Sequence, residues 1–112
     1  MEIIQEKHLS TDVVKLKGRL DASTAPKLED TLNALSAGDS PKILVDCKNL
    51  DYISSAGLRV LLSTAKQVKK NKGRISLSSL NPNVFQVFEI SGFSSIFPIF
   101  SRFEDALEDL TQ

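Results

Sequence analysis

The segment that most constrains the fold is an apolar run followed closely by a helical pattern. Residues 43–46 read Ile-Leu-Val-Asp, which is typical of a strand buried on both faces. Further along, apolar residues recur at i, i+3, i+4, i+7 and i+10, the spacing of one buried helix face: Leu58, Leu61, Leu62, Ala65 and Val68. The segment therefore predicts a strand, a short turn and an amphipathic helix in direct succession.

The turn between these two elements carries two hydroxyl groups and two small residues. Ser54 and Ser55 are both suited to cap a helix, because a serine oxygen accepts hydrogen bonds from the free N–H groups of the first turn. The same N–H groups and the helix dipole also favour a phosphate at this position. Ala56 and Gly57 follow, and we expect their small size to leave the backbone around Ser55 open to another protein.

The rest of the chain alternates strand-like and helix-like patterns. Strands are predicted at 2–8, 12–20, 42–46, around 75–77 and at 96–100, and helices at about 24–37, 55–71, from 81 and from 103. In the second strand, alternation predicts one buried and one wet face. This order indicates an α/β fold, with an N-terminal β-hairpin leading into a mostly parallel sheet of four or five strands and about four helices.

Size and composition indicate one ordinary globular domain spanning residues 1–112. The chain is 41% hydrophobic, and 14 basic residues balance 14 acidic ones. Zero net charge argues against direct nucleic-acid binding, which needs a basic surplus. We expect no signal peptide and no membrane span, and the single cysteine, Cys47, fits a reducing compartment. The expected location is therefore the cytoplasm.

Catalysis is not expected. A serine on a strand-to-helix turn resembles a nucleophile elbow, but Ile53 stands where that motif requires glycine. The only histidine, His8, is predicted near the end of the first strand, and nothing in the sequence brings it to Ser55 as a base. We likewise expect no metal site and no cofactor, because one cysteine and one histidine do not make a zinc cluster. A third interpretation, a small nucleotide-binding protein, is favoured only by the N-terminus of the helix that follows Ser54.

Three segments resemble the STAS domain, a family best known from bacterial anti-sigma factor antagonists. The string Ile53-Ser54-Ser55-Ala56-Gly57-Leu58 is similar to the family signature, commonly Asp-Ser-Ser/Thr/Ala-Gly-Leu. Residues 18–24 are similar to its Gly-x-Leu-Asp segment, and residues 91–93 to its Ser-Gly-Leu turn. The resemblance implies a STAS-like fold over nearly the whole chain.

The resemblance also implies which residues form the site. The serine that receives a phosphate in the family aligns with Ser55, while Ser54 occupies the usual acidic position and is the alternative acceptor. Asp21 is the acid that we expect to orient the acceptor hydroxyl or to contact a kinase. The expected partner-binding residues lie in two segments and comprise Asp21, Ser23, Thr24, Tyr52, Ser54, Ala56, Gly57 and Leu58.

The resemblance further implies the partners of this site. In the family, an unphosphorylated antagonist binds an anti-sigma factor that is itself a serine kinase, and phosphorylation releases it. We therefore expect such a kinase and a PP2C-type phosphatase as partners of a protein that is monomeric alone. The alternative implied by the resemblance is a constitutive interaction subunit of a lipid-transport ATPase or of a larger signalling complex.

Overall fold

The computed structural model describes residues 1–112 as an open sheet with helices on both faces. Its strands are β1 (Glu2–His8), β2 (Thr11–Leu20), β3 (Lys42–Ile53), β4 (Arg74–Ser78) and β5 (Ile99–Phe100). Its α-helices are α1 (Ala25–Ser36), α2 (Ser55–Lys70), α3 (Pro82–Ile90) and α4 (Phe103–Thr111). A short 3-10 helix, Phe93–Ser95, lies between α3 and β5.

The five strands lie side by side in the order of the chain. Strand β1 pairs antiparallel with β2, and every later neighbour pair is parallel. Helices α1, α2 and α3 provide the crossovers that parallel neighbours require. The predicted fold class, a hairpin followed by a mostly parallel sheet with four helices, is confirmed.

The sheet is covered on both faces, which corrects one expectation. The main core joins β2 and β3 to α1, α2 and α3, with Val14 and Val45 fully buried. The other face of the same strands packs under α4, where Val13 and Leu44 meet Ala106 and Leu110. The prediction of a wet second face for β2 is wrong there, because alternation within one strand does not reveal a distant covering helix.

Two strand boundaries also differ from the prediction. Strand β3 continues past residue 46 to Ile53, because residues 49–53 pair with the end of β2 across two register shifts. Strand β5 is shorter than predicted and covers only Ile99–Phe100, since a 3-10 turn occupies the preceding residues. The extension of β3 matters most, because it carries the chain directly to the start of α2.

No helix combines the length and the apolar character that crossing a membrane demands.

Candidate functional site

The predicted site lies at the carboxyl ends of β2 and β3, where the chain enters α1 and α2. The backbone N–H of Ser54 donates to the carbonyl oxygen of Leu20 at 2.9 Å. This hydrogen bond ties the last residue of β2 to the residue that precedes α2. The loop of residues 21–24 therefore lies beside the start of α2, so the two segments that hold the expected partner-binding residues are neighbours.

Ser54 is the N-cap of α2. Its backbone is extended, and its Oγ accepts a hydrogen bond from the N–H of Gly57 at 3.3 Å. The side chain is half-buried and engaged with the helix end. Of the two candidate hydroxyl groups, this one has a structural task, because it satisfies a helix N–H that would otherwise lack a partner.

Ser55 occupies the first helical position and differs from Ser54 both in burial and in hydrogen bonding. The residue is exposed, and its Oγ makes no hydrogen bond within the protein. The next residue, Ala56, is half-buried and presents only a methyl group. The hydroxyl of Ser55 is therefore accessible from solvent, and the helix N-terminus beneath it provides a field that favours negative charge.

Asp21 organises the neighbouring loop. One carboxylate oxygen accepts from the hydroxyl of Ser23 at 2.7 Å and from the backbone N–H groups of Ser23 and Thr24 at 3.0 and 3.3 Å. These hydrogen bonds, above all that from the Ser23 side chain, hold the pKa of Asp21 below its usual value. Thr24 in turn accepts from the N–H of Asp21 at 2.9 Å.

The hydrogen bonds of Asp21 bear on the role expected for it. Its carboxylate makes no hydrogen bond to Ser54 or Ser55, so it does not orient the acceptor hydroxyl in this structure. The reason is local: Oδ1 accepts from the donors of the 21–24 turn, while Oδ2 lies 4.0 Å from Nε of Arg19. Contact with a partner is the predicted role that this arrangement leaves to Asp21.

Tyr52 lies at the surface beside the site. The residue is 40% exposed, and the guanidinium of Arg19 lies over its ring at 4.1 Å from the centroid. The two residues are register partners on β2 and β3. This arginine was not among the predicted site residues, although its outward position on the alternating second strand is visible in the sequence. Arg19 and Tyr52 therefore form an exposed cation–π pair at the surface.

Two predicted surface residues belong instead to the core. Leu58 is only 7% exposed and packs within the main cluster, so the prediction that it supplies contact at an interface is wrong. Gly57 is also buried, and a Cβ atom there would lie 2.6 Å from Cγ of Leu20. The small size of Gly57 therefore permits close packing of the helix on the sheet. The prediction that Gly57 leaves the backbone open to another protein is wrong.

An open groove extends the site between α1 and α2. Small and apolar side chains form much of its lining, including Ala22 from the loop and Ala56 beside Ser55. Charged groups flank these residues, with Glu29 from α1 and Arg59 and Lys66 from α2. Arg59 is a second residue that was not predicted, although its position four residues after Ser55 is visible in the sequence.

Comparison with known proteins places this arrangement in a family. The model of the STAS domain family matches residues 2–106. A relative from Bordetella bronchiseptica, BtrV, provisionally named an anti-sigma factor antagonist, is 41% identical over 95% of this chain and 91% of its own length. The anti-sigma F factor antagonist of Paenibacillus polymyxa is 29% identical over 98% of this chain and 95% of its own.

A solved structure agrees with these relatives. The crystal structure of an anti-sigma factor antagonist from Mycobacterium paratuberculosis superposes with a TM-score of 0.89 at 28% identity, covering 99% of this chain and 94% of that one. The fold and the site define a class of domain: an α/β domain in which a serine-bearing turn caps the start of the second helix. The chain belongs to the STAS domain family.

Proposed function

We propose that this protein is an anti-sigma factor antagonist whose binding is switched by phosphorylation of Ser55. In the unphosphorylated state it binds a serine-kinase anti-sigma factor through the surface formed by residues 21–24 and the start of α2. The single observation that carries the proposal is the exposed, unbonded hydroxyl of Ser55 at the first position of α2. The names of the relatives support the antagonist role.

Several features of the site support a protein-binding surface. The 21–24 loop is held by the hydrogen bonds of Asp21, so little conformational entropy remains to be lost on binding. Tyr52 and Arg19, both enriched residue types at interfaces, are exposed beside it. The apolar lining of the adjoining groove adds surface that a partner can cover.

The proposed modification transfers one phosphoryl group. The γ-phosphoryl group of ATP passes to Oγ of Ser55, the hydroxyl proton leaves to the kinase or solvent, and ADP is released. A PP2C-type phosphatase reverses the step with water, giving back the serine and inorganic phosphate. In this proposal the protein itself is not an enzyme but the substrate and ligand of its partners, and it acts in the cytoplasm.

Charge at the interface provides the switch. A phosphoserine adds about −1.5 to −2 charge, which the start of a helix accommodates without refolding. The binding free energy then changes through bulk, desolvation and repulsion from partner carboxylates or a bound nucleotide. A change of about 2–4 kcal/mol weakens affinity roughly 30- to 1000-fold, which is sufficient for release.

Binding of two variants to a candidate anti-sigma factor tests the switch. With a serine-kinase anti-sigma factor from the same organism, we expect Ser55→Ala to bind like the native protein and Ser55→Asp to bind at least tenfold less well. Ser10→Asp is the matched control, because Ser10 is exposed in the turn between β1 and β2, at the opposite end of the sheet strands. It adds the same charge and should leave affinity unchanged.

The outcomes separate the switch from the alternative of a permanent interface. Equal affinities of Ser55→Ala and Ser55→Asp would contradict the charge mechanism and would favour a constitutive interaction subunit. Incubation of the native protein with the same kinase and ATP, followed by phosphopeptide mapping, identifies the modified residue. A phosphate on Ser54 would overturn the assignment to Ser55.

A further inference from the structure

Arg59 differs from the other arginines of the protein in having no carboxylate partner. Arg74 pairs with Asp109, and two further arginines lie within 4.0 Å of an acidic side chain, namely Arg19 near Asp21 and Arg102 near Glu104. Arg59 is exposed on α2 and takes part in none of the protein's ion pairs or side-chain hydrogen bonds. A free guanidinium one helical turn from the proposed phosphorylation site is therefore available to a negatively charged group.

The helix places Arg59 one turn after Ser55 and on the same side. Residues four apart on an α-helix are neighbours, separated by about 6 Å along the axis. Long helical side chains lean toward the N-terminus, so the region of Ser55 is within reach of a guanidinium at position 59. An acid placed four residues before a base is also the more favourable order for a helical ion pair.

The carboxylates nearest to Arg59 do not pair with it, so its guanidinium is free to bind an added anion. Glu29 of α1 lines the same groove, but its carboxylate is more than 4 Å from the guanidinium, since the two form no ion pair. Asp21 is engaged with the donors of its own loop and lies within 4.0 Å of Arg19. The nearest new acceptor would be a phosphate on Ser55.

We propose that Arg59 binds the phosphate of phosphorylated Ser55 within the same molecule. The phosphate would lie between the N-terminus of α2 and the guanidinium, which suits a planar donor able to form two hydrogen bonds to phosphate oxygens. This inference rests on the proposed function for the presence of the phosphate. It adds the residue of this chain that binds the phosphate once it is present.

The interaction changes what the docking surface offers a partner. In the unphosphorylated protein, Arg59 presents an unpaired cation in the groove next to Ser55. After phosphorylation the same guanidinium faces the phosphate and is no longer free to meet a partner's carboxylate. Phosphorylation thus adds negative charge and also removes the cation nearest to it on α2.

The second ionisation of the phosphate reports the contact directly. Protein with phosphoserine placed at position 55 by genetic encoding needs no kinase, and its phosphorus NMR signal follows the titration near pH 6. Because a nearby cation favours the dianion, the phosphate pKa in the otherwise native protein should lie about 0.15–0.4 pH units below that in Arg59→Gln. Arg59→Lys should give an intermediate value.

Arg19→Gln is the matched control, because Arg19 is the exposed arginine at the end of β2 and already has Tyr52 and Asp21 as neighbours. An unchanged phosphate pKa in Arg19→Gln, with the expected rise in Arg59→Gln, supports the proposal. Equal pKa values in the native background and Arg59→Gln would overturn it, as would a larger change in Arg19→Gln. These results do not depend on the kinase, so failure here is distinct from failure of the proposed switch.

Discussion

A Cβ atom on Gly57 would lie 2.6 Å from Cγ and 2.9 Å from Cδ2 of Leu20, so the start of α2 rests directly on the end of β2. Leu20 is completely buried, and Cγ1 of Ile53 would also lie 3.1 Å from that Cβ atom, which leaves no room for a methyl group. The closeness of this helix to the sheet sets the position of Ser55 relative to the 21–24 loop.

Gly57→Ala should therefore destabilise the protein despite the better helix propensity of alanine. Overpacking costs about 1–3 kcal/mol, whereas the gain in propensity is at most about 1 kcal/mol. Urea unfolding should show a net loss of up to about 2 kcal/mol. Gly38→Ala is the control, because nothing lies within 4 Å of a Cβ atom there; it should leave stability unchanged or raise it slightly. Equal effects at both positions would disprove the packing argument.

The two serines at the start of α2 should differ in their contribution to stability. Ser54→Ala removes the oxygen that accepts from the N–H of Gly57 and should lower the free energy of unfolding by about 0.5–2 kcal/mol. Ser55→Ala removes an unbonded, exposed hydroxyl and should change it by less than about 0.5 kcal/mol. Chemical denaturation of both variants measures the difference, and the reverse order would show that the capping roles are exchanged.

Much of the fold was predictable because its signals are local. The alternation in β2, the apolar centre of β3 and the helical spacing from Leu58 to Val68 each report burial within one element. What the sequence did not indicate depends on distant elements. The cover of α4 over Val13 and the pairing that extends β3 to Ile53 are contacts that no local pattern encodes.

The same distinction explains the errors at the site. The capping position of Ser54 and the exposure of Ser55 follow from the helix start, which is a local property. The burial of Gly57 and Leu58 depends on how closely α2 approaches β2, and small residues are equally consistent with an open surface or tight packing. Only the three-dimensional arrangement distinguishes these two uses of glycine.

The carboxylate of Asp21 should contribute stability that depends on pH in a defined direction. Its pKa in the folded protein is lowered, chiefly by the hydroxyl of Ser23. Its contribution is therefore fully present above the pKa of the unfolded chain, near 4, and is lost as the pH falls through the folded value. Asp21→Ala should be less stable than the native protein at pH 7, and the difference should shrink toward pH 2.

Carbon-detected NMR titration of the carboxyl groups measures the pKa of Asp21 directly. Ser23→Ala offers a test of the cause, because it removes the hydroxyl donor and keeps the carboxylate. In that variant the pKa of Asp21 should rise toward its ordinary value. A pKa that stays low without the Ser23 hydroxyl would show that the backbone N–H groups of the loop are sufficient.

Cys47 should be unreactive in the folded protein and should destabilise it at alkaline pH. Burial raises the pKa of its thiol from 9.0 to about 12, so the folded protein holds the proton while the unfolded chain releases it above pH 9. The unfolded state then binds fewer protons, and stability falls as the pH rises from about 9 toward 12. At pH 8 an aromatic disulfide reagent should label the thiol only after urea unfolding.

Cys47→Ala separates the thiol from the other groups that titrate at high pH. The variant is expected to be less stable at pH 7, because it loses buried volume in the main core. Its stability should nevertheless decline less steeply than that of the native protein above pH 9, since the titrating thiol is absent. Parallel slopes for the two proteins, or rapid labelling of the native protein without urea, would show that the Cys47 side chain reaches solvent.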